Sequence, residues 1–123
     1  GSLLWETPLS GDAERGVFTN PVTDGRRLFV HARQTIYILN LGDGSVAYGP
    51  FEDAATPPLV KDGRLYYGSQ AGELVVRSAS NGTTLARLNI PSVAGTRPVD
   101  LGERIAIGTR EGEIIYIHPA GIR

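Results

Sequence analysis

The sequence contains no cysteine and no methionine, and Trp5 is its single tryptophan. Without cysteine there is no disulfide framework, no thiolate metal site and no cysteine nucleophile. Charge of one sign is also missing. The 12 Lys and Arg residues nearly cancel the 13 Asp and Glu, leaving a formal charge of -1. No basic stripe exists to neutralise phosphates, so nucleic acid is not the expected partner. No stretch approaches the roughly 20 consecutive apolar residues of a membrane-spanning helix, and none resembles the apolar core of a signal peptide. A chain without methionine, even at position 1, reads as an excised fragment, a processed product or an engineered protein. Gly1 and Ser2 read as a cloning remnant as readily as native sequence. Helical periodicity is absent too: no window of a dozen residues places apolar side chains at i, i+3, i+4 and i+7 between a cap and a stop.

What remains is short and repetitive. The chain is 41% hydrophobic over 123 residues, within the range of a globular domain. Its apolar residues fall in brief runs rich in Val, Ile, Leu, Tyr and Phe. The clearest are residues 28–31, 35–39, 64–68, 73–77, 104–108 and 113–118. Between them stand Asp24-Gly25, Asp43-Gly44, Asp62-Gly63 and Asn81-Gly82. Glycine supplies the positive φ that hairpin turns need, and Asp or Asn tolerates it. The pattern predicts an all-β fold of short antiparallel strands with almost no helix.

The segments beginning at Pro21, Pro58 and Pro98 repeat one another at spacings of 37 and 40 residues. Residues 65–74 align without a gap to residues 105–114, whereas the first copy has one residue fewer in its connecting hairpin. A period near 40 with four strands per unit is the signature of a β-propeller blade, because leucine-rich and helical repeats need shorter periods or helices.

The first two units also carry traces of a longer motif. Residues 40–48 approach the pattern Ala-x-Asp-x-x-Thr-Gly-x-x-x-Trp, with Asn40 for Asp, Asp43 for Thr and Tyr48 for Trp. Residues 78–86 keep only the glycine turn, and Ala86 stands where Trp would be, while Trp5 fits that position best. On these residues the chain resembles the PQQ-like, quinoprotein-type propeller repeat, over most of its length. The resemblance implies that the outer-strand Trp packs flat between neighbouring blades. Tyr48 can serve as a weaker wedge; Ala86 cannot, which implies different packing at its junction.

The resulting division is an outer strand of an offset blade with its connection over residues 1–19, then blades over 20–55, 56–95 and 96–123, the last lacking its outer strand. Propellers close with about four to eight blades, since each blade face must be covered by a neighbour. Three blades therefore predict a larger ring. It is completed either by self-association, head to tail with two chains favoured, or by further blades of a longer parent. In the first case residues 3–9 of one chain lie beside the third blade of the next.

No residue set spells out a reaction. His31 and His118, the two histidines, sit at the ends of different strands with no HxH or HxxxH spacing, and read as structural or exposed. No Gly-x-Ser-x-Gly elbow occurs. Asp24, Asp43 and Asp62 precede glycine and read as turn carboxylates; Asp100 stands where the other copies have Thr23 or Val60. Enzymatic members of the resembled family bind a quinone and calcium over a Trp floor. The lone Trp5 on a presumed outer strand does not supply that floor, so no cofactor and no enzymatic activity are expected. Non-enzymatic relatives, such as the propeller lipoprotein of the outer-membrane assembly machine and kinase-linked sensor domains, fit better and favour an extracytoplasmic setting. The expected role is a scaffold, protein-interaction or ligand-sensing module. A quinoprotein dehydrogenase fragment and a carbohydrate-binding or lyase propeller are the alternatives. Any ligand or protein partner is expected at equivalent loops of the blades: Asn20, Thr56 and Arg97 before the innermost strands, and Arg33, Gln34, Gln70, Arg110 and Glu111 in the hairpins after the second strands.

Overall fold

A computed structural model describes residues 21–90 and 93–119. Eleven strands run through them: β1 (Val22–Thr23), β2 (Arg27–Ala32), β3 (Thr35–Asn40), β4 (Val46–Phe51), β5 (Leu59–Lys61), β6 (Arg64–Gly68), β7 (Glu73–Ser78), β8 (Thr84–Asn89), β9 (Val99–Asp100), β10 (Ile105–Gly108) and β11 (Ile114–Ile117). They form three antiparallel sheets in simple meander order, β1-β2-β3-β4, β5-β6-β7-β8 and β9-β10-β11. No helix appears among the named elements. All six strands expected from the sequence are present within a residue or two of their expected bounds. The expectations for residues 1–19 and for the turn at Ala120-Gly121 lie outside the described residues.

The registers align the first hairpins of the three sheets residue by residue. Phe29, Tyr66 and Ala106 pair with Val22, Leu59 and Val99 at the same point of the first hairpin. The second hairpins differ as the sequence predicts. Ala32 pairs directly with Thr35 around a two-residue turn. The other two close around three residues, with the Ser69 N–H bonded to Glu73 O and the Thr109 N–H to Glu113 O, each 2.8 Å. Arg33 takes a left-handed φ of 56° to make the tighter turn.

Because side chains alternate across a strand, the middle sheet has two apolar faces and both are covered. Leu65, Tyr67 and Val75 meet Phe29, Ile36 and Ile38 of the first sheet. Tyr66, Leu74 and Val76 meet Ile105 and Ile107 of the third. This explains why the β6 and β7 sequences read as near-continuous apolar runs. On the far side of the first sheet, Val30, Ala32 and Tyr37 make a third buried cluster, with Leu28 packed beside it.

The two seams differ at the motif position. Tyr48, in the first seam, donates from its hydroxyl to the Ala79 carbonyl of the next sheet at 2.8 Å. Its ring fills the space above Gly82, where a Cβ would lie 2.7 Å from it. Phe51 adds a ring 6.0 Å from Tyr48 and stacks on Tyr67 at 6.5 Å, and the Arg77 guanidinium covers Phe51 at 3.9 Å. In the second seam Ala86 occupies the position of Tyr48, and Leu85, Leu88, Ile90 and Ile117 fill it instead. An aromatic wedge and an aliphatic fill thus do the same work.

A second contact repeats in both described connections between sheets. Ala54 and Ala94 bridge to Ser69 and Thr109, and the hydroxyls of Thr56 and Thr96 accept the Gly68 and Gly108 N–H groups at 3.0 and 2.9 Å. A Cβ on Gly68 would stand 2.4 Å from the Ala94 Cβ, which only backbone movement could relieve. Gly68→Ala is expected to destabilise the fold by about 1–3 kcal/mol through overpacking, and Tyr48→Phe by about 1 kcal/mol through the lost hydrogen bond. Urea denaturation of the two variants checks both.

Candidate functional site

The loops singled out in the sequence lie together at one end of the sheets. The connections before β5 and β9 bond to the hairpins after β2, β6 and β10: Ala54 N–H to Gln34 O at 2.9 Å, Gln70 N–H to Asp53 O at 2.8 Å, and Arg110 N–H to Val93 O at 2.9 Å. Arg33, Gln34, Gln70, Arg110 and Glu111 are exposed on that end. Thr56 is not. It is fully buried, and its hydroxyl accepts from Gly68 N–H and donates to the Pro57 carbonyl, so it belongs to the frame and not to a binding surface. Asn20 lies outside the described residues.

Arg97 is half-buried, close enough to His31 for its charge to disfavour the imidazolium. His31 occupies the strand position held by Gly68 and Gly108 in the other sheets. Its ring nitrogen Nε2 is 3.3 Å from the Ala54 carbonyl. Burial first, and the Arg97 charge second, hold its pKa below the ordinary value near 6.5, the Ala54 contact opposing them.

Acidic and phenolic groups near this end are tied into the seams. Tyr67 donates to Asp53 Oδ1 at 2.9 Å and accepts from Arg77 Nε at 3.1 Å. Burial pushes its phenol up to about 12, and does the same for Tyr48. Both are held neutral as hydrogen-bonding wedges. Arg87 pairs with Glu73 at 3.1 Å and approaches Asp53 at 3.8 Å.

A cleft of about 550 Å³ opens at the opposite end, between the second and third sheets, lined by Lys61, Arg64, Tyr66, Glu103, His118 and Pro119 among others. Sequence reasoning did not find it. Lys61 Nζ binds Asp100 Oδ1 at 2.7 Å and also donates to the Gly102 carbonyl. This contact to Lys61, followed by the Gly102 N–H, holds the Asp100 carboxyl below its ordinary range and raises the Lys61 ammonium. Asp100 accepts the Gly102 N–H as the Thr23 hydroxyl accepts that of Gly25, so it is a turn residue as well as an ion-pair partner. Arg64 donates to the Pro119 carbonyl at 3.0 Å. With its cations engaged in this way, the cleft is chemically a polar seam. No three His, Asp or Glu side chains converge on a metal-sized site among the described residues.

No family model matches the sequence, and no curated protein matches it either. Solved structures do match. BamB from Moraxella catarrhalis superimposes with a TM-score of 0.80 at 12% identity, over 100% of this chain and 42% of that one. The fold is that of a β-propeller. The propeller chain also matches the computationally designed Ika4 protein, with a TM-score of 0.67 and 13% identity over 82% of this chain and 65% of that one. It matches the quinohemoprotein alcohol dehydrogenase ADHIIG from Pseudomonas putida HK5 too, at 0.76 and 16% over 95% and 21%. The quinoprotein-type resemblance of the propeller sequence therefore extends to the fold. The chain spans less than two thirds of the length of each of these structures.

The His31 environment gives a pH dependence. Folding keeps its pKa below that of the unfolded chain, so the unfolded state binds more protons between the two values. The contribution of His31 is complete above the unfolded pKa and is lost as pH falls through the folded one. Thermal melts between about pH 5 and 7 should show stability falling toward acid, and His31→Gln should flatten that limb.

Proposed function

We propose that the chain is a non-enzymatic propeller module that acts as a rigid platform for protein or ligand binding, within a ring completed by a second copy. The observation that carries this reading is an apolar face left bare. Ile114 and Tyr116 are 60% and 59% exposed on the third sheet. Their counterparts Ile36 and Ile38 in the first sheet, and Leu74 and Val76 in the second, are 0% exposed. Val99, on the same face, is exposed as well. Apolar surface arranged for burial in two blades and open in the third marks an interaction face. Two chains of three sheets would bring the blade number to six, inside the roughly four to eight that propellers use.

The platform reading is further supported by the employment of the ionisable groups. Asp24, Asp43 and Asp100 accept backbone N–H groups in turns, and Tyr48 and Tyr67 are locked into a seam. Arg33, Gln34, Gln70, Arg110 and Glu111 stand exposed on the hairpins, open to a partner. Light scattering behind size exclusion, over a dilution series, tests the assembly. A mass of two chains that persists on dilution is expected, and a monomer at every concentration overturns it.

A further inference from the structure

Three arginines stand at the start of the second strands of the three sheets, Arg27 and Arg64 as the first residues of β2 and β6 and Arg104 immediately before β10, at the 37- and 40-residue spacings of the prolines. Their partners in register are Asn40, Ser78 and, by continuation of the Ile105–Ile117 pair, His118. The first two make the same contact across a seam. Arg27 Nη1 donates to the Ala79 carbonyl of the second sheet at 3.2 Å, and Arg64 Nη1 to the Pro119 carbonyl after the third at 3.0 Å. Ala79 and Pro119 are equivalent: each follows the last register partner on the third strand of its blade. The position equivalent to both in the first blade is Leu41, which follows Asn40.

Arg104 breaks the series. It is exposed, and among the described residues its side chain makes no hydrogen bond or ion pair. Resting on the ring reading above, we infer that Arg104 is the staple of the intermolecular seam and donates to the Leu41 carbonyl of a second copy. The exposed face of Val99, Ala106, Ile114 and Tyr116 then seats against the outward side of that copy's first sheet. By register this is the side of Leu28, Val30, Tyr37 and Leu39.

Two features of the structure support this occupant over an unrelated protein. The contact continues an interface already made twice within the chain, by the same residue type, at the same strand position, to the same main-chain atom. Further, the acceptor site need not be vacant. The Ala79 carbonyl takes the Tyr48 hydroxyl and the Arg27 guanidinium together, so a carbonyl at this position has room for a second donor. Val30, Ala32, Tyr37 and Leu39 are already buried within one chain. The arriving face therefore covers the half-buried Leu28 and the rim of that cluster, and the staple fixes its register.

The test compares three variants of the whole chain by light scattering across dilution, with circular dichroism to confirm folding. Arg104→Ala should raise the dimer dissociation constant about tenfold, the effect of losing one hydrogen bond from a charged group. Tyr116→Asp should abolish assembly. Arg64→Ala, which loses the equivalent contact within one chain, should lower the melting temperature and leave the dissociation constant unchanged. Contact is read directly by mixing Arg104→Cys chains with Leu41→Cys chains and adding a short bismaleimide. The sequence has no cysteine, so a covalent heterodimer reports that pair alone. If the unmodified chain stays monomeric, the ring reading falls and this inference with it. If it assembles while Arg104→Ala and Tyr116→Asp leave the affinity unchanged and no cross-link forms, only the staple is overturned.

Discussion

A meander of three or four short strands has two faces, and in this sequence both are apolar. Face-to-face contact between sheets is therefore what the rest of the structure depends on. The central sheet shows the arrangement in full: Tyr66 and Tyr67 are adjacent, point to opposite sides, and are each at most 1% exposed because a neighbouring sheet lies over each. Hydrogen bonds within a sheet set its shape, but the stabilising burial lies between sheets, as in other repeat architectures whose units cannot fold alone. The polar contacts sit at the ends of the seams. There the guanidinium groups of Arg27 and Arg64 reach carbonyls of the next unit, and Thr56 and Thr96 anchor the connecting segments.

Much of this was legible in the sequence, for physical reasons that can be named. The Asp-Gly and Asn-Gly pairs announce turns because few other residues accept a left-handed backbone, and Gly25, Gly44, Gly63 and Gly82 all adopt it. The strands between them were readable from composition. The outer strands β4 and β8 were less so, since β4 runs through Gly49-Pro50 and β8 has only exposed and half-buried residues. The expectation that Tyr48 wedges a seam and that Ala86 does not is realised in the two different fillings.

The candidate site was less legible, because a side chain's use depends on what the fold brings near it. Thr56 looked like a loop residue open to ligand. The signal that it is structural was present in the sequence as the recurring Thr-x-Pro of residues 19–21, 56–58 and 96–98, since a hydroxyl kept at one repeat position points to a repeated internal bond. The same reasoning would have marked Arg27, Arg64 and Arg104. The cleft containing Lys61 and Asp100 had no local signal. Its two charged partners are 39 residues apart and meet only because adjacent sheets put equivalent hairpins side by side.

His31 has a consequence of a different kind. At its strand position the other two sheets carry glycine, so an imidazole appears once per chain on a frame that otherwise repeats three times. At 6% exposure it is enclosed rather than displayed, so the first connection has to leave room for a ring beside the Ala54 carbonyl where, one sheet on, the Ala94 side chain closes directly onto Gly68. A side chain at this position therefore sets how far a sheet stands from the segment that leaves it.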